Sequence, residues 1–180
     1  DLSLDDRSYQ YLGKSINLEK NKDLKGYTRQ KIENTDIYFE KGVELFVNES
    51  EKILRIYQRK PGARIFIKNG SLKNYKIDLE GFNLRENDQN LDLKSFPPNY
   101  PINNTILTGC LTFANMKVEK LLINAINSSC EDTLNFINVT GQIDKISIIN
   151  SFSDALDIDF SSLKINEINK YLSLILEHSL

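Results

Sequence analysis

The chain has 180 residues, 40% apolar and 27% charged, which is enough for one folded domain or one elongated stack of coils. With 23 Lys and Arg against 25 Asp and Glu, the net charge of -2 offers no basic field to draw nucleic acid or anionic lipid. The apolar runs are short, so no membrane span is expected.

Residues 1–34 are polar, and their apolar positions follow no single period, so they read as an irregular N-terminal cap over the open end of a repeat. The chain starts at Asp1 without an initiating Met, as expected of a processed or cut product from which a targeting segment could have been lost. From Asp36 the pattern alternates. Ile37 and Phe39 face one way, Gly42 turns the chain, and Val43, Leu45 and Val47 alternate with polar or exposed positions. Ile53–Tyr57 reads as a further strand, and Pro61-Gly62 as a turn.

From Ile65 to Asn169 one pattern recurs four times. Its apolar letters are Ile65, Ile67, Leu72, Tyr75 and Ile77; then Leu111, Phe113, Val118, Leu121 and Ile123; then Leu134, Phe136, Ile143, Ile146 and Ile148; then Leu156, Ile158, Ile165 and Ile168. The first two copies match at an offset of 46 and the last two at 22, with a turn expected to lengthen by two residues between the second and third. A repeat of about 22 residues made of short strands and Asn or Ser turns predicts an all-β fold, a short right-handed parallel β-helix over 35–180. Glu80–Gly109 interrupts the repeat with Pro97, Pro98 and Pro101, so it reads as a loop excursion onto the outside of the stack. Cys110 and Cys130 hold different repeat positions and read as free, partly buried thiols. After Lys170 the register breaks. An uncovered last coil would have an edge able to pair with a second chain, so self-association through the C-terminal coil edge is a partner expectation.

The stretch Cys130–Phe136, followed by Asn150–Ser161, resembles the right-handed parallel β-helix proteins of the pectin-lyase-like superfamily. It looks most like the β-helical modules of secreted or cell-surface proteins, including those beside spore-coat-type kinase domains, in which a Glu-Asp or Ser-Asp pair precedes an alternating strand. The resemblance covers roughly Ile65–Asn169. It implies an extracellular or cell-surface location and leaves function open, because this fold hosts lyases, hydrolases, adhesins and inert shafts.

Three sets of residues could carry chemistry. Asp157 and Asp159 point outward on one strand with α-carbons about 6.8 Å apart. Inverting glycoside hydrolases separate their carboxylates by a similar distance. With Asp154 they form a candidate catalytic set for acidic polysaccharides. The single histidine, His178, and all six arginines lie outside the last three copies of the repeat, which weighs against catalysis. Asp132, Asp154 and Asp157 could offer hard oxygen ligands to Ca²⁺. Phe82, Phe96 and Tyr100 in the excursion, with the outward Phe66, could form an aromatic platform for a polysaccharide or cell-surface glycan. No phosphate loop and no nucleophile–histidine constellation can be assembled. Two functions stay open: a non-catalytic secreted or cell-surface module presenting a binding or assembly face, and a polysaccharide hydrolase or lyase.

Overall fold

The computed structural model describes residues 8–11, 14–17, 26–83 and 109–171. These residues hold thirteen strands and no helix. They are β1 (Ser8–Tyr11), β2 (Lys14–Asn17), β3 (Tyr27–Ile32), β4 (Thr35–Glu40), β5 (Val43–Asn48), β6 (Ile53–Gln58), β7 (Ile65–Lys68), β8 (Ser71–Lys73), β9 (Lys76–Glu80), β10 (Leu111–Ile126), β11 (Asp132–Ile149), β12 (Asp154–Asp159) and β13 (Ser162–Tyr171). The stretch 1–34, expected to be irregular, holds the antiparallel β1–β2 hairpin and β3.

From β7 onward the chain is a β-solenoid of about four turns. β10 pairs in parallel with β7, β8 and β9 on one side and with β11 on the other, while β11 also pairs with β12 and β13. Ile65 lies directly beside Leu111, so coils that start 46 residues apart in the chain are neighbours in the stack. At the N-terminal end the order changes. The hairpin β3–β4 joins β7 antiparallel, and the hairpin β5–β6 joins β9 through β6 in parallel.

Equivalent side chains stack through the interior. Ile65, Leu111 and Leu134 form one buried column, continued by Leu156, and Ile77, Ile123 and Ile146 form another. Phe113 and Phe136 stack face to face with centroids 4.8 Å apart. Between the second and third copies, the structure corrects the expected alignment. Val118 pairs with Gly141, Leu121 with Ile143 and Ile123 with Ile146, so no turn is lengthened there. Gly141 carries no side chain, so its inward place was invisible to a reading of apolar letters. Its φ of 125° and its approach to the Val118 carbonyl leave no room for a Cβ. A small register irregularity around Lys120, whose φ is 53°, absorbs the remainder.

The corners are built mostly by asparagine. Asn69, Asn115 and Asn138 take positive φ at the bend after the first strand of successive coils, and Asn127 and Asn150 do so at the bend after the third. Asn tolerates the left-handed region better than other side-chain-bearing residues. Stacked asparagines also bond to one another: Asn138 Nδ2 donates to Asn115 Oδ1 at 2.8 Å, and Asn150 Nδ2 to Asn127 Oδ1 at 3.1 Å.

Cys110 and Cys130 form a disulfide, not the free thiols expected. They hold different coil positions, yet the Cys110 N–H donates to the Asp132 carbonyl at 2.8 Å, which brings the turn before β11 against the start of β10. Both sulfurs are buried. Gln58 reaches the same corner: its amide donates to the Ala63 carbonyl, and its Oε1 accepts from Phe82 N–H at 3.3 Å.

Two stability predictions follow from these contacts. Gly141→Ala is expected to lower unfolding free energy by more than the ~1–3 kcal/mol of backbone strain alone, because the Val118 carbonyl must also move. Urea unfolding measures it, with Gly26→Ala, where a Cβ meets nothing within 4 Å, as the reference. Cys110 and Cys130 are separated by 20 residues, so replacing both with Ser is expected to cost about 3 kcal/mol. Thiol titration of the protein unfolded in denaturant without reductant should find no free thiol; two free thiols would refute the bridge.

Candidate functional site

The side chains that point outward from the coils lie on faces of different character. On the first face, Phe66, Thr112, Asn135 and Asp157 share one column, and Lys68, Ala114, Ile137 and Asp159 share the next. This matches the expected outward positions, but most of the face is covered. Tyr38, Phe66, Ala114 and Ile137 form a second small core, with Tyr27 packed against it. Phe66 is therefore buried beneath Tyr27, ring centroids 5.3 Å apart, and is not an exposed platform. Phe82 lies half-buried just beyond β9, while Phe96 and Tyr100 fall outside the described residues.

The acidic residues gather at the C-terminal end of this face. Asp132 pairs with Asp154 and Asn135 with Asp157 across the β11–β12 ladder. Asn135 Nδ2 donates to Asp157 Oδ2 at 3.4 Å. Asp157 and Asp159 stand two residues apart on β12, where each carboxyl feels the other. Burial, then the charge of Asp157, raises the Asp159 carboxyl above its ordinary range. Glu131 is raised as well, by burial first and then by Asp132 and Asp154, with Arg64 opposing.

Arg64 is the charged neighbour that the sequence reading passed over. It precedes Ile65 and so occupies the coil position of Cys110, Thr133 and Ala155. It is 1% exposed, and its backbone N–H donates to Glu40 Oε2 at 2.8 Å. The register itself was the available signal, since following the column down from Ala155 leads to Arg64. Among the described residues, no three His, Cys, Asp or Glu side chains are grouped to hold a metal ion. Asp132 and Asp154 face each other across the β11–β12 ladder, with Asp157 three residues beyond Asp154.

The third face, across β5, β6, β9, β10, β11 and β13, is open. Phe46, Arg55, Asp78 and Asn124 follow one another strand by strand, and Tyr57, Glu80 and Ile126 form the adjacent column. A hollow of about 210 Å³ is lined by Arg55, Tyr57, Asp78, Leu79, Glu80, Asn124 and Ile126. A second hollow of about 300 Å³, lined by residues of β5, β6 and their turn, shares Arg55 with it. Asn124 Nδ2 donates to Asp78 Oδ1 at 2.8 Å, and Lys76 pairs with Asp78 at 3.2 Å. Phe46 meets Tyr57 edge-on at 5.7 Å, and Arg59 lies over the Tyr57 ring at 4.9 Å. This site was not anticipated from the repeat. Its signal was Leu54 and Ile56 matching Ile77 and Leu79 at the same step that separates later coils, which turns Arg55 and Tyr57 outward.

Comparison with family models, with curated proteins and with solved structures returned no match.

The raised Asp159 carboxyl yields a pH prediction with a defined sign. A carboxyl whose folded pKa is raised binds more protons in the native state, so it costs stability above its folded pKa and costs nothing below its ordinary value near pH 4. Asp159→Asn is expected to raise the melting midpoint at pH 7, with the gain shrinking as pH falls toward about 4. Calorimetry across that range checks it. A variant destabilised at pH 7 would show that the carboxylate holds a favourable contact.

Proposed function

We propose that this chain is a non-catalytic β-solenoid module of a secreted or cell-surface protein, and that its rigid outer surface binds a partner, with glycans as the leading class. The observation that carries this reading is the third face, where polar and aromatic side chains line two hollows that share Arg55 on a hydrogen-bonded scaffold. A scaffold of this kind presents side chains without an ordering cost on binding. The buried disulfide supports an oxidising compartment, since such bonds persist outside the reducing cytosol. The resemblance of Cys130–Phe136 and Asn150–Ser161 to pectin-lyase-like β-helix modules points the same way.

One observation favours a second reading, an enzyme acting on acidic polysaccharides. Asp157 and Asp159 stand two residues apart on β12, and burial, then the charge of Asp157, raises the Asp159 carboxyl. Glycoside hydrolysis uses a pair of carboxyl groups, one of them raised to serve as the acid. Among the described residues, the basic groups in the columns of this face are Arg64, which is buried, and Lys68, which is half-buried and stands three coils away from Asp159 in its column.

Incubation with acidic and neutral polysaccharides, with and without Ca²⁺, separates the two. The expected result is retention of at least one polysaccharide in affinity electrophoresis with no new chain ends. New chain ends that disappear in Asp157→Asn, with folding unchanged, would overturn the non-catalytic reading.

A further inference from the structure

Resting on the reading of the chain as a binding module, we infer that the two hollows joined at Arg55 form a binding site for a neutral oligosaccharide of pyranose units. The site lies on the third face, away from the Asp157–Asp159 pair, and runs across the strands of successive coils.

The chemistry of the lining selects the ligand. Arg55 is exposed, carries no ion pair among the described residues, and stands between the hollows as a fork of donors. Asn124 is a second polar group in the smaller hollow, while Asp78 and Glu80 are acceptors there and Glu51 is an acceptor in the larger one. Sugar hydroxyls donate and accept, so they satisfy both kinds. An acidic polysaccharide or a nucleic acid would bring its charge against Asp78, Glu80 and Glu51.

The apolar groups suit the same ligand. Phe46 is 58% exposed and offers a ring on which the C–H face of a pyranose can stack. Tyr57 borders the other hollow, with its ring fixed between Phe46 and Arg59. The hollows, about 210 and 300 Å³, lie below and at the lower end of the roughly 300–1,000 Å³ of a drug-sized pocket, in keeping with one sugar unit apiece. Neighbouring strands are about 4.8 Å apart, a step comparable with the rise of one unit in an extended glycan, so a chain laid across the strands meets a fresh row of side chains at each unit.

The test is calorimetric titration of the full chain with cellohexaose, maltohexaose, laminarihexaose and chitohexaose, alongside hexagalacturonate. Binding of at least one neutral hexasaccharide is expected, weakened about tenfold in Phe46→Ala and in Arg55→Ala. Both side chains are exposed, so the melting midpoint should be unchanged, and Asp157→Asn should bind as the parent does. Neutral binding that survives both groove substitutions would place the site elsewhere and overturn this inference while leaving the module reading intact. Binding of hexagalacturonate alone would overturn the ligand class. No binding by any of the five would overturn both.

Discussion

Everything in this molecule depends on the parallel register between coils. Each strand of β10 and β11 hydrogen-bonds to a coil on either side, so a side chain's place is fixed by its equivalents above and below. A slip of one residue would turn every inward Leu, Ile and Phe to solvent. Two devices hold the register. The interior columns of large apolar side chains resist sliding, and the Asn corners require a positive φ at equivalent bends of successive coils. Gly141 shows how tight the arrangement is, since its column brings a carbonyl where any Cβ would stand.

The same register decides what the outside can do. It turns Phe66, Ala114 and Ile137 outward in two adjacent columns, where they become a second buried core rather than a surface. It brings the acidic residues of β11 and β12 together at the end of that face, where burial first and like charges second raise Glu131 and Asp159. On the third face it aligns Arg55, Asp78 and Asn124 across three strands, with Tyr57 and Glu80 beside them. Function is therefore a property of columns, and neighbours within a column can be more than 20 residues apart in the chain. The last coil marks the limit of the scheme: Ile158 and Ile168, inward by register, are 41% and 51% exposed because β12 and β13 pair with β11 alone among the described residues.

Much of the fold was legible, and for a physical reason. Interior residues must be large and apolar in every coil, so Ile65, Leu111, Leu134 and Leu156 announce the repeat directly. The strands of 36–57 were likewise visible in their alternation. What the letters hid were places filled by something other than an apolar side chain. Gly141 left a gap that shifted the second-to-third alignment. Cys110 and Cys130 looked unrelated because their pairing depends on how a turn folds against the next coil, which no strand period encodes. The candidate site was less legible still. Asp157 and Asp159 were correctly placed outward, but their coverage, Arg64, and the hollows beside β6 all depend on contacts between segments that the repeat does not contain.

The most direct test of this account is residue-resolved amide hydrogen exchange on the native protein. β10 and β11, bonded on both sides, should exchange slowest, with the interior-facing strand centres most protected. β12 and β13, bonded on one side among the described residues, should exchange orders of magnitude faster. Equal protection throughout, or rapid exchange across β10 and β11, would contradict a parallel stack of coils as the frame on which the outer faces are built.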